Sequence, residues 1–323
     1  MRFIFEQIEI MLNRRNIRSK VMQNAFAMQQ SQDDNLPNQE KLLFLSFDNI
    51  YKLYALLLLL HIELKYKAET EIEKGLKKNF PTEEDLNPNY KFTLNKVFNA
   101  LDKNEFLTTF KRKYRLKKWD IDKEIIQILW QNIKKSKYYS EYMNSPISSF
   151  KEDKEFILDI YKNIIAPETA LHDSFEADES QWSDDIAIAN TMVMKTISGL
   201  KQNADFDTLP DLFKDVMDRE FAVDLFRKVI LNDKELTKLI DGKTPNWDFE
   251  RISEIDKLIM KMAIAEFLYF PSIPTNVSIN EYVEIAKEFS TPKSNIFING
   301  VLHSVYKELI EQNRLQKNIR GRN

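Results

Sequence analysis

The sequence predicts an all-α fold, on the evidence of its composition and of the spacing of its apolar residues. Among 323 residues only 5 are glycine and 10 are proline, under half of the roughly 12% that these two residues contribute to average proteins. Sheets joined by tight turns need glycine and proline, so the shortage favours long helices. With 43% hydrophobic residues the chain can bury a sizeable core, and its length suits about two domains.

Apolar residues recur at three- to four-residue spacing through most of the chain, as in amphipathic helices. This spacing predicts helices over 14–30, 39–78, 93–117, 122–142, 151–165, 180–203 and 217–241. Two prolines make 80–89 a predicted loop. Gly242, with Pro245 beyond it, ends a helix in the order expected of a C-cap.

Two serine-led segments predict where the next helices begin. Ser253-Glu-Ile-Asp and Ser278-Ile-Asn-Glu each place an acid three residues after a serine, which is the spacing of a capping box. A last helix is expected to start at 292–294 and to run to about 313. Within it, Gly300 costs helix stability and is interpreted as a site of close helix packing.

The residue inventory argues against an enzyme. The chain has no cysteine and three histidines, which excludes disulfides, thiolate nucleophiles and cysteine-held metal clusters. No phosphate-binding glycine loop, HExxH or GxSxG motif occurs. We therefore expect no catalytic residue, no metal site and no cofactor. His172 is assigned to a polar loop, and His303 to the core as a hydrogen-bonded residue.

No segment of the sequence indicates a membrane protein. The longest uninterrupted apolar run, Leu53–Leu60, has eight residues, whereas a bilayer span needs about 18 or more. The first ten residues carry two acids and no small-residue cleavage site, which does not fit a signal peptide, and Met11 is an alternative start to Met1. We expect a cytoplasmic protein that does not bind membranes.

Positive charge is concentrated in two places. Because the formal net charge is −3, any binding of a polyanion must depend on such local clusters. The first cluster lies at the start of the first predicted helix and contains Arg14, Arg15, Arg18 and Lys20. The second is a basic run between Phe110 and Trp119, with Lys111, Arg112, Lys113, Arg115, Lys117 and Lys118.

Segments near both ends of the chain resemble the bacterial NusB transcription antitermination family. Residues 277–287 read VSINEYVEIAK and residues 297–302 read FINGVL, close to the family's "INEAVELAK" and "FVNGVL" signatures. Residues 255–268 match as well, as do Asn246-Trp247 with Arg251. Near the N-terminus, Arg14-Arg15-x-x-Arg18 followed by Gln23 resembles the family's opening "RRxxRxxxxQ" helix.

The resemblance implies a NusB-like helical bundle formed by 13–30 together with 217–313. Residues 31–216 have no counterpart in the short family members, and we interpret them as a long helical insertion after the first helix. The loop at 81–88 is similar to the long form of Bacteroidota-type bacteria. No role is assigned to the insertion.

The resemblance also implies a function. NusB proteins pair with the ribosomal protein NusE, bind the single-stranded boxA element of rRNA leaders and help RNA polymerase to resist termination; no catalysis is known for the family. The expected function is therefore transcription antitermination, with boxA-like RNA, NusE and the RNA polymerase antitermination complex as partners.

The residues assigned to RNA are Arg14, Arg15, Arg18, Lys293 and Phe297. Arginines one turn apart at a helix start suit phosphate binding, and replacing all three by alanine should lower the log–log salt slope by about two. Phe297 offers a ring on which an unpaired base can stack, and Lys293 adds a cation ahead of it.

Phe26 and Asp256 match positions on the family's face for the ribosomal protein, although the first could equally be a core residue and the second a helix cap. Phe26 stands where the family usually has tyrosine. A second hypothesis keeps the fold but assigns protein–protein scaffolding or ribosome assembly, with weak RNA binding; the size of 31–216 and the acidic balance favour it. A methyltransferase carrying a NusB-like module is excluded because such enzymes need a cysteine.

Overall fold

The computed structural model describes residues 12–31, 33–202, 209–243 and 251–318, and these residues form helices and no strand. The predicted all-α class is confirmed. The helices, in chain order, are α1 (Arg14–Ser31), α2 (Leu36–Leu76), α3 (Glu83–Leu86), α4 (Lys96–Asp102), α5 (Glu105–Lys113), α6 (Lys118–Ile121), α7 (Lys123–Lys135), α8 (Lys137–Asn144), α9 (Phe150–Ile160), α10 (Thr169–Asp178), α11 (Trp182–Gly199), α12 (Val216–Leu231), α13 (Asp233–Ile240), α14 (Glu254–Tyr269), α15 (Thr275–Phe289) and α16 (Ser294–Glu311), with a π-helical turn at Tyr161–Ile165 continuing α9.

Several long predicted helices are each two helices in the structure. The segment 93–117 divides at Asn104, whose side chain accepts a hydrogen bond from the Leu107 N–H. The segment 122–142 divides at Ser136, which caps α8 in the same way. Both residue types form caps readily, so a capping side chain inside an amphipathic pattern starts a new helix. The prediction that His172 lies in a polar loop is wrong, because His172 lies within α10.

The described chain divides into two compact units. We call residues 48–212 the middle unit and residues 12–47 with 213–318 the terminal unit. Residues 31–47, which the sequence assigns to the insertion, pack within the terminal unit. The Asn24 side chain donates to Ser46 at 2.9 Å, and Arg227 donates two hydrogen bonds to Glu40. The structural boundaries therefore fall at 47/48 and 212/213 rather than at 30/31 and 216/217.

Helix α14 is the centre of the terminal unit. It packs against α12, α13, α15 and α16, and α1 packs on α12, α14 and α15. Ser253 caps α14 as predicted, accepting a hydrogen bond from the Asp256 N–H at 3.1 Å. The second predicted cap is wrong: α15 begins at Thr275, and the Ser278 hydroxyl instead donates to the buried Glu266 carboxylate at 2.6 Å.

The apolar run of α2 supplies the core of the middle unit. Leu53, Leu57 and Leu60 are fully buried, and the Trp119 indole N–H donates to the Leu56 carbonyl at 2.7 Å. The eight-residue apolar run did not indicate it, but α2 is long and apolar enough to cross a membrane. However, 61% of the most apolar 18-residue segment of α2 is buried within the protein. That burial is what a core helix of a globular fold shows.

Candidate nucleic-acid interface

The first turn of α1 is fixed by a reciprocal cap. The Asn16 N–H donates to the Asn13 side chain at 2.9 Å, and the Asn13 N–H donates to the Asn16 side chain at 3.1 Å. Asparagine is a favoured N-cap residue. The three-residue spacing of Asn13 and Asn16 is the feature of the sequence that indicates this cap, although the cap was not predicted. Arg14 and Arg15 lie within this capped first turn.

Arg14 lies at the surface with part of its guanidinium in use. Its Nε donates to an Asp218 carboxylate oxygen at 2.9 Å. The Cζ atom of the same guanidinium lies 5.1 Å from the centre of the Phe221 ring. The side chain is 40% exposed. The two Nη atoms are not part of the bond to Asp218, so they can donate to a further anion.

Arg15 forms a two-pronged ion pair with α15. Its Nε and Nη2 donate to the two carboxylate oxygens of Glu281 at 3.0 and 2.9 Å. This bond is the main reason that the pKa of Arg15 is raised above its ordinary value. The side chain remains 42% exposed, so the position of the guanidinium is fixed while one edge stays open to solvent.

Arg18 is a core residue, contrary to its predicted role as a phosphate contact. It is 2% exposed, and its Nε and Nη2 both donate to Glu266 at 2.8 Å. Burial alone would lower the pKa of Arg18, but the buried Glu266 carboxylate outweighs it and raises that pKa above its ordinary value. Ser278 and Tyr282 donate to the same carboxylate. Arg18 holds α1 against α14.

Glu266 is fully buried within α14. Its main partner is the guanidinium of Arg18, 248 residues earlier in the chain. Ser278, in the first turn of α15, donates to the same carboxylate.

An open pocket of about 490 Å³ lies at the start of α1. Its volume falls within the range of small-ligand pockets. It is lined by Asn13, Arg14, Arg15, Arg18, Ser272, Ile273, Pro274, Val277 and Glu281. The structure thus brings the three predicted arginines to one pocket but presents only Arg14 and Arg15 with substantially exposed side chains.

The other two residues predicted to bind RNA lie at the start of α16, Lys293 at its N-cap position and Phe297 in its first turn, and they do not line this pocket. Lys293 is exposed and Phe297 is half-buried. Gly300 follows at the i+7 position from Lys293, so the three residues share one side of the helix. A Cβ atom at Gly300 would meet nothing within 4 Å, so the predicted packing role of Gly300 is wrong, and the surface beside Phe297 is open.

The two residues matched to the family's face for the ribosomal protein, Phe26 and Asp256, differ in how far their side chains are exposed to a partner. Phe26, on α1, is half-buried. Asp256 is 6% exposed, and its two carboxylate oxygens accept hydrogen bonds from Ser290 at 2.5 Å and Ser294 at 2.8 Å. Asp256 therefore connects the start of α14 to the loop before α16, and its carboxylate is not presented to a partner.

The histidines do not build a metal or acid–base site. Among the described residues no group of three or more His, Asp or Glu side chains could hold a metal ion. His303 is exposed on α16, so its predicted place in the core is wrong. His61 is the buried one: its Nδ1 lies 2.9 Å from the Leu57 carbonyl, and burial lowers its pKa to about 4.

Comparison with known proteins gives a consistent result for the C-terminal part of the chain. A family model described as NusB family matches residues 187–307, which begin within α11 and end within α16. The pair Asn246-Trp247 of the predicted signature falls inside this match but lies outside the described residues.

Curated relatives match a similar length of chain. The chain is 40% identical over 110 residues to the transcription antitermination protein NusB of Salinibacter ruber, covering 34% of this chain and 69% of that protein. It is 40% identical over 111 residues to the protein of the same name from Chloroherpeton thalassium, covering 34% and 53%. It is 47% identical over 91 residues to that of Koribacter versatilis, covering 28% and 62%. No solved structure matches the chain.

Proposed function

The chain belongs to the NusB family, and from this premise we propose that it is a transcription antitermination factor that binds boxA-like single-stranded RNA of rRNA leaders together with the ribosomal protein NusE. The observation that carries the RNA part of the proposal is the pair Arg14 and Arg15. Both have side chains at least 40% exposed at one open pocket.

The geometry of the pair suits a phosphate. A guanidinium has five N–H donors; Arg14 uses one on Asp218, and Arg15 uses two on Glu281. The remaining donors can form short charge-assisted bonds to phosphate oxygens. The carboxylate partners hold the two side chains in place before RNA arrives, which lowers the entropy lost on binding.

The start of α16 supplies the second half of the proposed RNA surface. Base–aromatic stacking contributes about 1–3 kcal/mol per base and tolerates any base. Phe297 is half-buried, so its orientation is restrained, and the exposed Gly300 leaves space beside it. Lys293, exposed one turn earlier, adds a cation for the backbone of the same strand.

For the protein partner, we propose that the half-buried Phe26 contributes an apolar contact to NusE. Asp256 is left out because Ser290 and Ser294 occupy its carboxylate. The proposed function consists of binding and assembly with the RNA polymerase antitermination complex, and no reaction step is assigned to any residue.

The salt dependence of RNA binding tests the arginine assignment. Each phosphate contact on a single strand contributes about 0.7 to the log–log slope of affinity against salt. In the variant Arg14→Ala/Arg15→Ala we expect the slope for a boxA-type RNA to fall by about 1.4, measured by fluorescence anisotropy at several salt concentrations.

The matched control for this test is Arg227→Ala/Arg314→Ala. It removes the same charge from two ion-paired, partly exposed arginines of the terminal unit, whose partners are Glu40 and Glu235. The control should leave the slope unchanged. An equal slope for the parent protein and the Arg14/Arg15 variant would contradict the assignment.

A further inference from the structure

Helix α5 of the middle unit carries a row of aromatic rings. Phe106, Phe110 and Tyr114 follow one another at four-residue spacing, which places them along one side of a helix. The ring centres of the first two are 6.1 Å apart with nearly parallel planes, and those of the last two are 4.3 Å apart. Phe106 is 38% exposed, and the other two rings are half-buried. Tyr51 packs edge-on against Phe110 and supports the row.

Positive charge lies beside this row. The exposed basic side chains between Phe110 and Trp119 are Arg112, Lys113, Arg115 and Lys117, of which Arg112 lies on the opposite side of α5 from the rings. Within the described part of the chain none of these four is paired with a carboxylate. The other two members of the predicted basic run are committed elsewhere: Lys111 lies 3.6 Å from Glu63, and the buried Lys118 binds Asp122 and Asp178.

Two lysines lie against the last ring. The ammonium of Lys113 is 4.9 Å from the centre of the Tyr114 ring, and that of Lys52 is 5.5 Å from it. Such contacts stabilise a cation beside an aromatic face. The nearby acids are Glu63, which is paired with Lys111, the exposed Asp211, whose charge acts on Tyr51, and the exposed Glu105 and Asp120. No acid stands between residues 111 and 118 in the sequence.

We propose that this surface, the α5 surface (Phe106, Phe110, Lys113, Tyr114, Arg115 and Lys117), binds single-stranded RNA. Proteins that bind single strands without sequence preference combine partly exposed aromatic rings for the bases with cations that follow the phosphates. An acidic protein segment would use the cations but has no flat bases for the rings. The inference goes beyond the proposed function and does not rest on the arginine pocket.

The surface also gives the middle unit a role. The matched family region begins at residue 187, so α5 lies outside it, and the α5 surface is a property of this chain's own additional helices. A strand held at the terminal unit would have a second, sequence-independent contact on the same protein. Such a second contact increases overall affinity by raising the effective concentration of the strand.

The test uses the full chain and a fluorescein-labelled 20-mer of oligouridylate, followed by anisotropy at several salt concentrations. The Arg14→Ala/Arg15→Ala variant serves as the background, so that failure of the arginine assignment and failure of the α5 assignment are distinguishable. Adding Lys113→Gln/Lys117→Gln should lower the log–log salt slope by about 1.4, which corresponds to two phosphate contacts.

Lys74→Gln/Lys77→Gln is the matched control. Lys74 lies in the last turn of α2 and Lys77 directly after its end, and both are exposed. Lys74 lies about 33 Å along the helix from Lys52 at 1.5 Å per residue. This control should leave the slope unchanged. Phe106→Leu keeps an apolar side chain on α5 and removes the flat ring; we expect a loss of affinity of about fivefold or more with an unchanged slope.

Two results would overturn the proposal. One is a salt slope that the Lys113/Lys117 variant leaves unchanged. The other is polyglutamate competing as well as oligouridylate while Phe106→Leu binds RNA like its parent, which would show a surface that attracts any polyanion. Circular dichroism of each variant establishes that the helices are retained.

Discussion

Glu266 and Arg18 form a buried ion pair in the middle of the terminal unit. Side chains from α1 and α15 surround the carboxylate, so that Arg18, Ser278 and Tyr282 together satisfy its oxygens. Two buried charges are costly unless each is paired and hydrogen-bonded. A single pair therefore fixes three helices relative to one another, and it holds the helix that carries Arg14 and Arg15.

Replacing the Glu266 carboxylate should strongly destabilise the folded protein. Glu266→Gln removes the hydrogen-bonded counter-charge of the buried Arg18 and leaves it only the Glu281 carboxylate at 3.7 Å, so we expect the free energy of unfolding to fall by about 3–5 kcal/mol. Urea unfolding measures the change. The control is Glu40→Gln, which breaks the same two-pronged arrangement with Arg227, whose side chain is 47% exposed; its expected cost is under about 1 kcal/mol. Equal losses for the two variants would contradict the account.

At the scale of elements, two glycines of the terminal unit have opposite roles. Gly242 follows α13 with φ of +80°, where side chains are strained. Gly300 lies inside α16 with ordinary helical backbone and open space around it. The first glycine is required by the backbone at a helix end, whereas the second weakens its helix.

Alanine substitutions should separate the two. Gly242→Ala should reduce the free energy of unfolding by about 1–2 kcal/mol, because L residues pay that cost at positive φ. Gly300→Ala should increase the free energy of unfolding by about 0.5–1 kcal/mol. Chemical denaturation of both variants against the parent checks the signs. Destabilisation by Gly300→Ala would mean that the glycine is needed within the fold after all.

The elements were predictable where the information is local. Periodicity located α1, α2 and α16, and Ser253 and Gly242 marked a helix start and a helix end. The wrong predictions concern side chains that bind a group on another helix. Ser278 donates to Glu266 instead of capping α15, and Arg18 binds the same carboxylate instead of facing solvent. A partner 248 residues away cannot be found from spacing. The RNA-site prediction at the start of α1 stays a prediction, and the structure leaves two of its three arginines, Arg14 and Arg15, exposed there.

At the scale of the whole molecule, the chain combines a terminal unit that carries most of the matched family region with a middle unit that has its own core. Each unit presents basic side chains, although the formal net charge is −3. Any attraction of a polyanion must therefore come from local clusters rather than from the overall charge. The alternative hypothesis, a scaffold with weak RNA binding, predicts that neither cluster contributes to RNA affinity.

The most direct measurement is the fluorescence anisotropy of a labelled boxA-type RNA and of a scrambled RNA of the same composition, each with and without NusE. We predict selective binding of the boxA-type RNA that becomes tighter when NusE is present. Equal, weak binding of both RNAs that NusE does not change would contradict the account and would favour the scaffold hypothesis.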